Sequence, residues 1–235
     1  MKTIGLIGGM SWESSAEYYR IINEAVRDRL GNPHSAKSIM VSVDFAEVEA
    51  LQRQGRWTEA TQMMVEAAQR VERGGADFVV ICTNTMHKMA DEVQAAIRIP
   101  LLHIADAAAE KVKARGLRKV GLLGTKFTME EEFYRGRLVH GHGLQVLIPD
   151  EEDRAIVHRV IYEELVAGKI NPASKAQFRR IIAGLVGQGA EGIILGCTEI
   201  GLLVKEADSQ VPLFDTTQIH AMAAVDHALA EIAIR

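Results

Sequence analysis

Gly75-Ala76-Asp77-Phe78-Val79-Val80-Ile81-Cys82-Thr83-Asn84-Thr85 recurs without a gap as Gly189-Ala190-Glu191-Gly192-Ile193-Ile194-Leu195-Gly196-Cys197-Thr198-Glu199. Each copy is a Gly-Ala-acid turn, an apolar run and then polar residues. Such short continuous apolar runs suit strands of a parallel sheet covered on both faces. Thr83 falls opposite Cys197. Working outward, Ile4-Gly5-Leu6-Ile7-Gly8-Gly9 matches Val120-Gly121-Leu122-Leu123-Gly124-Thr125, and Pro100-Leu101 matches Pro212-Leu213. The copies drift by only a few residues, so the chain reads as an internal duplication.

Strands are expected at Thr3–Gly8, Ser38–Phe45, Asp77–Cys82, Leu101–Ile104, Lys119–Gly124, Leu144–Ile148, Gly192–Gly196 and Val211–Phe214. Helix-period segments lie between them. Trp57–Arg73 puts Ala60, Met63, Met64, Ala67 and Val71 on one face. Thr128-Met129-Glu130-Glu131 reads as a capping box with Thr128 as N-cap. Asn171-Pro172 reads as an N-cap followed by proline at the first helical position. Strand–helix alternation argues for an α/β fold with right-handed crossovers. The expected architecture is two pseudo-symmetric, open, mostly parallel-sheet domains, residues 1–115 and 116–215, joined near Ala114–Arg118. The last helix, 216–235, is expected to return to the first domain. In open parallel sheets ligands bind outside the carboxyl ends of the strands. If the two domains face each other, Gly8-Gly9-Met10, Thr83-Asn84-Thr85, Gly124-Thr125 and Cys197-Thr198-Glu199 converge on an interdomain active-site cleft.

Composition narrows the function. The chain has 235 residues and a net charge of -4, with no basic footprint for nucleic acid. No apolar run approaches the roughly 18 residues of a membrane helix. The start, Met-Lys-Thr-Ile-Gly-Leu-Ile-Gly-Gly-Met, is too short and glycine-broken for a signal peptide. A cytoplasmic protein without nucleic-acid or membrane partners is expected. Two cysteines, at 82 and 197, form no CxxC or zinc spacing. No metal site is expected, and His140-Gly141-His142 reads as a solvated helix end.

Each candidate residue also has a plain structural reading. Gly8-Gly9 lacks the GxGxxG pattern of a dinucleotide loop. As a tight turn, it could present backbone N–H groups to a carboxylate. Residues 82 and 83 point to opposite faces of the strand. Cys82 therefore reads as a small buried hydrophobe. Cys197, at a strand end before an expected helix N-terminus, reads as a structural cysteine or as a thiol whose setting lowers its pKa. Thr83, Asn84 and Thr85 form a hydroxyl and amide cluster suited to capping or to ligand contact. Thr125 and Thr128 are candidate donors to a carboxylate.

Ile-Gly-Leu-Ile-Gly-Gly-Met (4–10), Cys-Thr-Asn-Thr-Met-His (82–87) and Gly-Cys-Thr-Glu-Ile (196–200) resemble the cofactor-independent aspartate/glutamate racemase family. That group also contains hydantoin racemases and arylmalonate decarboxylases. The resemblance spans essentially the whole chain and is strongest to enterobacterial amino-acid racemases. It implies two α/β domains, frequent dimers, a small amino-acid substrate and no cofactor. It also implies two cysteines flanking the substrate α-carbon, one removing the proton and the other returning it. Here the residue before Asn84-Thr85 is Thr83, so the first catalytic position is threonine. Cys82 is one residue out of register.

A threonine hydroxyl is too weak an acid to present useful alkoxide near neutral pH. The resemblance makes Cys197 the base toward an L-amino acid and Thr83 a poor reprotonator on the other face. Slow racemisation biased to L-aspartate and L-glutamate is then expected. The resemblance places Met10, Gln52, Asn84, Thr85, Lys169 and Thr198 around the substrate. Arg53, beside Gln52, is either a bidentate partner for a side-chain carboxylate or a surface residue. Glu47 and Glu199 could receive the ammonium group or orient neighbours. Two other readings keep the fold: a decarboxylase of the arylmalonate type, and a non-catalytic amino-acid binder.

Overall fold

The computed structural model describes residues 1–230. The chain divides into two compact units, Met1–His103 with the segment from His220, and Ile104–Ile219. The first holds β1 (Ile4–Gly8), β2 (Ser38–Ser42), β3 (Phe78–Ile81) and β4 (Leu101–Leu102). The second holds β5 (Lys119–Gly124), β6 (Gln145–Leu147), β7 (Gly192–Gly196) and β8 (Leu213–Asp215). The two sheets share one order, β2-β1-β3-β4 and β6-β5-β7-β8, and every pairing is parallel. The α/β class, the duplication and all eight expected strands are therefore present.

In the first unit, strand alternation builds two separate core layers. Ile7, Val79 and Ile81 point to the helix Trp57–Arg73, meeting Ala60, Met64, Ala67 and Val71. Ile4, Leu6, Phe78 and Val80 point the other way, to Tyr18, Ile21, Ile22 and Val26 of the helix Trp12–Leu30. The helix Thr216–Leu229 adds Ala221, Ala224, Val225, Ala228 and Leu229 to that second layer. The described part of this helix from His220 onward clusters with the first unit; residues 231–235 of the expected helix 216–235 lie outside the described residues. In the second unit, β5 and β7 lie among Val157, Val160, Phe178, Ile181, Leu185 and their neighbours.

Four local expectations need correction. The junction lies between His103 and Ile104, not in 114–118. The reason is packing: the helix Ile104–Ala114 buries Ile104, Ala105, Ala109 and Val112 in the second core. The second strand stops at Ser42, because Asp44 caps a helix Phe45–Arg53 by accepting from the Ala46 N–H at 3.0 Å. The helix Lys126–Glu130 is capped by Thr125, which accepts from the Thr128 N–H at 3.3 Å. Thr128 sits inside that helix. Asn171 does cap the helix Pro172–Gly187. His140 and Gly141 are exposed at a helix end as expected, but His142 is not solvated: its Nε2 lies 2.8 Å from Asp106, which also holds Arg137 through two bonds of 2.7 Å. Among the described residues, no helix is long and apolar enough to cross a membrane.

Candidate active site

The order 2-1-3-4 reverses direction between β1 and β3, and the matching order reverses between β5 and β7. At such switch points the flanking connections leave on opposite sides, opening a crevice at the carboxyl ends. In the first unit, β1 runs into Gly8-Gly9-Met10 and β3 runs into Cys82-Thr83-Asn84-Thr85. In the second unit, Gly124 pairs with Gly196, so Thr125 and Cys197 leave the sheet side by side.

The turn after β1 is tied down internally. The Gly9 N–H donates to Ser15 Oγ at 2.8 Å, and the Ser15 hydroxyl donates to the Ser11 carbonyl at 2.9 Å. The expected anion cradle is therefore already using its Gly9 donor. Met10 is buried beside this turn. Gln52 is buried too, and its amide donates to Met86 Sδ at 3.2 Å. That contact ties the helix Phe45–Arg53 to the short 3-10 turn Thr85–Met89. Asn84 and Thr85 are buried at the start of this turn, whereas Thr83 is half-buried. The Thr83 carbonyl accepts a 2.8 Å bond from His87 Nδ1. Arg53 projects outward, with a side chain 76% exposed and Glu49 at 3.7 Å. Glu47 is exposed and lines an open cleft of about 570 Å³ with Asp44, Glu59 and Glu66.

Cys197 is buried at the end of β7, and its thiol donates to Glu199 Oε2 at 3.0 Å. The Thr198 hydroxyl donates to the same oxygen at 2.6 Å. Burial pushes the Cys197 thiol pKa well up, and the Glu199 charge, the bond to Glu199 and Asp215 push it further. This overturns the depressed thiol expected from the sequence. Two carboxylates and a loss of water outweigh any helix N-terminus here, and the following helix, Ile200–Leu203, is a single turn. Cys82 is fully buried and its thiol is also raised, by burial alone. Its reading as a small core residue agrees with its place in the apolar layer with Phe78 and Val80. Thr125 and Thr128 are buried with their hydroxyl oxygens 3.2 Å apart, next to the Cys197 strand end. Lys169 is exposed after the turn Leu165–Ala167. Among the described residues, no cluster of three or more His, Cys, Asp or Glu is placed to hold a metal ion.

The Asp/Glu/Hydantoin racemase family model matches residues 7–224, taking in both sheets and both strand-end clusters. The chain belongs to the Asp/Glu/Hydantoin racemase family. It is an isomerase of that family's amino-acid racemase type. A structure from Yersinia pestis, solved as a candidate Asp/Glu racemase, is 56% identical, with a TM-score of 0.92 over 97% of this chain and 100% of that one. An aspartate racemase homologue from Pyrococcus horikoshii OT3 is 37% identical, with a TM-score of 0.83 over 97% of this chain and 99% of that one. The broad specificity amino-acid racemase RacX of Bacillus subtilis (strain 168) is 25% identical over 175 residues, covering 73% of this chain and 74% of that protein.

In this racemase the first unit gathers Met10, Gln52, Thr83, Asn84 and Thr85 about the β1 and β3 ends. The second gathers Thr125, Thr128, Cys197, Thr198 and Glu199 about the β5 and β7 ends. Arg53, Glu47 and Lys169 are solvent-facing. Sequence reading passed over Ser15, His87 and Asp215. Ser15 carries no motif signal, because its role is to lock a turn. His87 closes the quoted Cys-Thr-Asn-Thr-Met-His segment without a role. Asp215 was within reach: extending the match of Pro100-Leu101 to Pro212-Leu213 sets His103 against Asp215.

Proposed function

We propose that this racemase acts on L-aspartate and L-glutamate, with Cys197 as the base and Thr83 opposite it as the imperfect acid. The observation that carries the reading is the Cys197–Glu199 hydrogen bond of 3.0 Å at the end of β7. A thiol with a raised pKa is a poor base unless its proton has somewhere to go. Glu199 supplies that destination. Passing the proton from Sγ to the carboxylate makes a thiolate without changing the net charge of the pair. An incoming ammonium group then favours the thiolate in a site shielded from water. The thiolate takes the α-proton of the L-amino acid. The Thr198 hydroxyl holds the shared Glu199 oxygen in place.

No comparable acid stands at residue 83. A hydroxyl gives up its proton reluctantly, so most carbanions recapture a proton from Cys197 and return as L-substrate. Racemisation is therefore slow and lopsided. Asn84, Thr85, Thr125, Thr128 and the N–H groups near them are the proposed carboxylate donors. Met10 and Gln52 shape the first-unit wall, and Arg53, Lys169 and Glu47 are exposed outer contacts. The Glu199 carboxylate offers a partner to an α-ammonium group, which an arylmalonate substrate lacks. The test is Thr83→Cys. A thiol there should raise turnover of D-aspartate or D-glutamate by about 100-fold or more, the scale of a matched general acid–base group. No gain in a folded variant would contradict the facing pair.

A further inference from the structure

We infer that His87 is the positioning residue of the Thr83 face, held by a buried set of three histidines. The inference rests on the proposed role of Thr83. His87, His103 and His220 are all buried, at 2%, 6% and 0% exposure. The His87 ring meets His103 edge-on with centroids 4.6 Å apart, and His220 with centroids 5.7 Å apart. His220 is fixed at both nitrogens. Its Nε2 donates to the Leu102 carbonyl at 2.9 Å, and its Nδ1 lies 2.9 Å from the buried Tyr18 hydroxyl. The Leu102 carbonyl can only accept, so Nε2 carries a proton, and Nδ1 pairs with the Tyr18 hydroxyl. The same logic puts the His87 proton on Nδ1, facing the Thr83 carbonyl at 2.8 Å.

The result is a chain of contacts from the helix Trp12–Leu30 and the end of β4 to one backbone carbonyl, that of Thr83. Residue 83 lies past the last residue of β3, where the sheet ladder no longer fixes the chain. The His87 bond replaces that constraint. The internal repeat shows why this position is special. His87 aligns with Gly201, and His103 aligns with Asp215. In the second copy a Cβ on Gly201 would come within 2.5 Å of Asp215 Oδ2, so Asp215 fills the space beside the turn. Asp215 also acts on Cys197 through its charge. The copies have thus diverged in kind: carboxylates surround the base, and imidazoles brace the threonine.

The test separates positioning from packing. In D₂O at saturating L-aspartate, two rates are read on one sample: loss of the α-proton and accumulation of D-isomer. Their ratio reports delivery from the Thr83 face after Cys197 has acted. His87→Phe keeps ring volume and removes the donor; the ratio should fall about 10- to 100-fold while proton loss persists, the scale expected for a misplaced reacting group. His87→Asn keeps a donor near the Nδ1 position and should hold the ratio within about threefold of wild type, because its amide can satisfy the same carbonyl. Equal falls in both rates for the Phe variant, or a ratio lost equally in the Asn variant, would overturn the inference. Thr83→Ala is run beside them. An unchanged ratio there would remove the role of Thr83 itself, whereas a lowered ratio with a normal His87→Phe would remove only His87. If the Phe variant does not fold, ¹⁵N NMR of the wild type decides: an Nδ1–H tautomer at His87 supports the bond, and an Nε2–H tautomer overturns it.

Discussion

At the scale of single residues, the proposed mechanism makes one unit of Cys197 and Glu199, so separating them should have opposite effects on two rates. The thiol pKa is raised, so its thiolate fraction in the free enzyme grows as pH rises and is small near neutrality. Alkylation of Cys197 should keep climbing above the ordinary thiol value of about 8.5. Glu199→Gln removes the carboxylate charge and the bond to it, two of the causes that hold the thiol up. The alkylation limb should therefore move to lower pH. Racemisation of L-aspartate should instead fall by about 100-fold or more, because the thiol proton has lost its acceptor. A variant that alkylated and racemised in parallel would show that Glu199 only tunes reactivity. The sequence displayed Cys197 and its strand-end setting. It hid the sign of the pKa shift, which depends on burial and on the rotamer that brings Glu199 to Sγ.

At the scale of elements, the turn after β1 sets the first crevice and depends on one backbone conformation. Gly9 has φ of 95°, and a Cβ there would lie 2.1 Å from the Val43 carbonyl oxygen and 2.7 Å from the Val43 nitrogen. Gly9→Ala should cost about 3 kcal/mol, from positive-φ strain together with backbone overlap. Gly168→Ala is the matched comparison, since Gly168 is left-handed, with φ of 68° and ψ of 15°, and has nothing within 4 Å of the added carbon. It should cost only about 1 kcal/mol. Urea unfolding of both variants checks the difference, and equal losses would refute the overlap. Elements were legible wherever an apolar run met a turn, as in Phe78–Ile81 and Gly192–Gly196. Their ends were less so. Val43, Asp44 and Phe45 continue the apolar pattern of β2, but the Asp44 carboxylate stabilises a helix start instead. Thr125 and Thr128 are equally good N-caps by type, and only the chain direction after Gly124 selects Thr125.

At the scale of the whole molecule, duplication explains the repeated topology, while the last helix breaks the sequential division. Its residues from His220 complete the first unit's core against Ile4, Leu6, Phe78 and Val80. Val225 is fully buried there. Val225→Asp should destabilise that unit by about 3 kcal/mol or more, since it buries a carboxylate without a partner. The denaturation midpoint should drop accordingly, and an unchanged midpoint would mean that the helix is not part of the cooperative core. The sequence showed two halves because the repeat is intact at three strand pairs. It did not place the junction, because Ile104–Ala114 is amphipathic and either core could have accepted its apolar face.

The most direct measurement is proton NMR of L-aspartate and L-glutamate with the enzyme in D₂O, with chiral analysis of the same samples. The expected result is loss of the α-proton signal, slower accumulation of D-isomer, and neither change with Cys197→Ala. An α-proton signal that persists with both acids, or exchange that survives in Cys197→Ala, would contradict carbanion chemistry at this thiol.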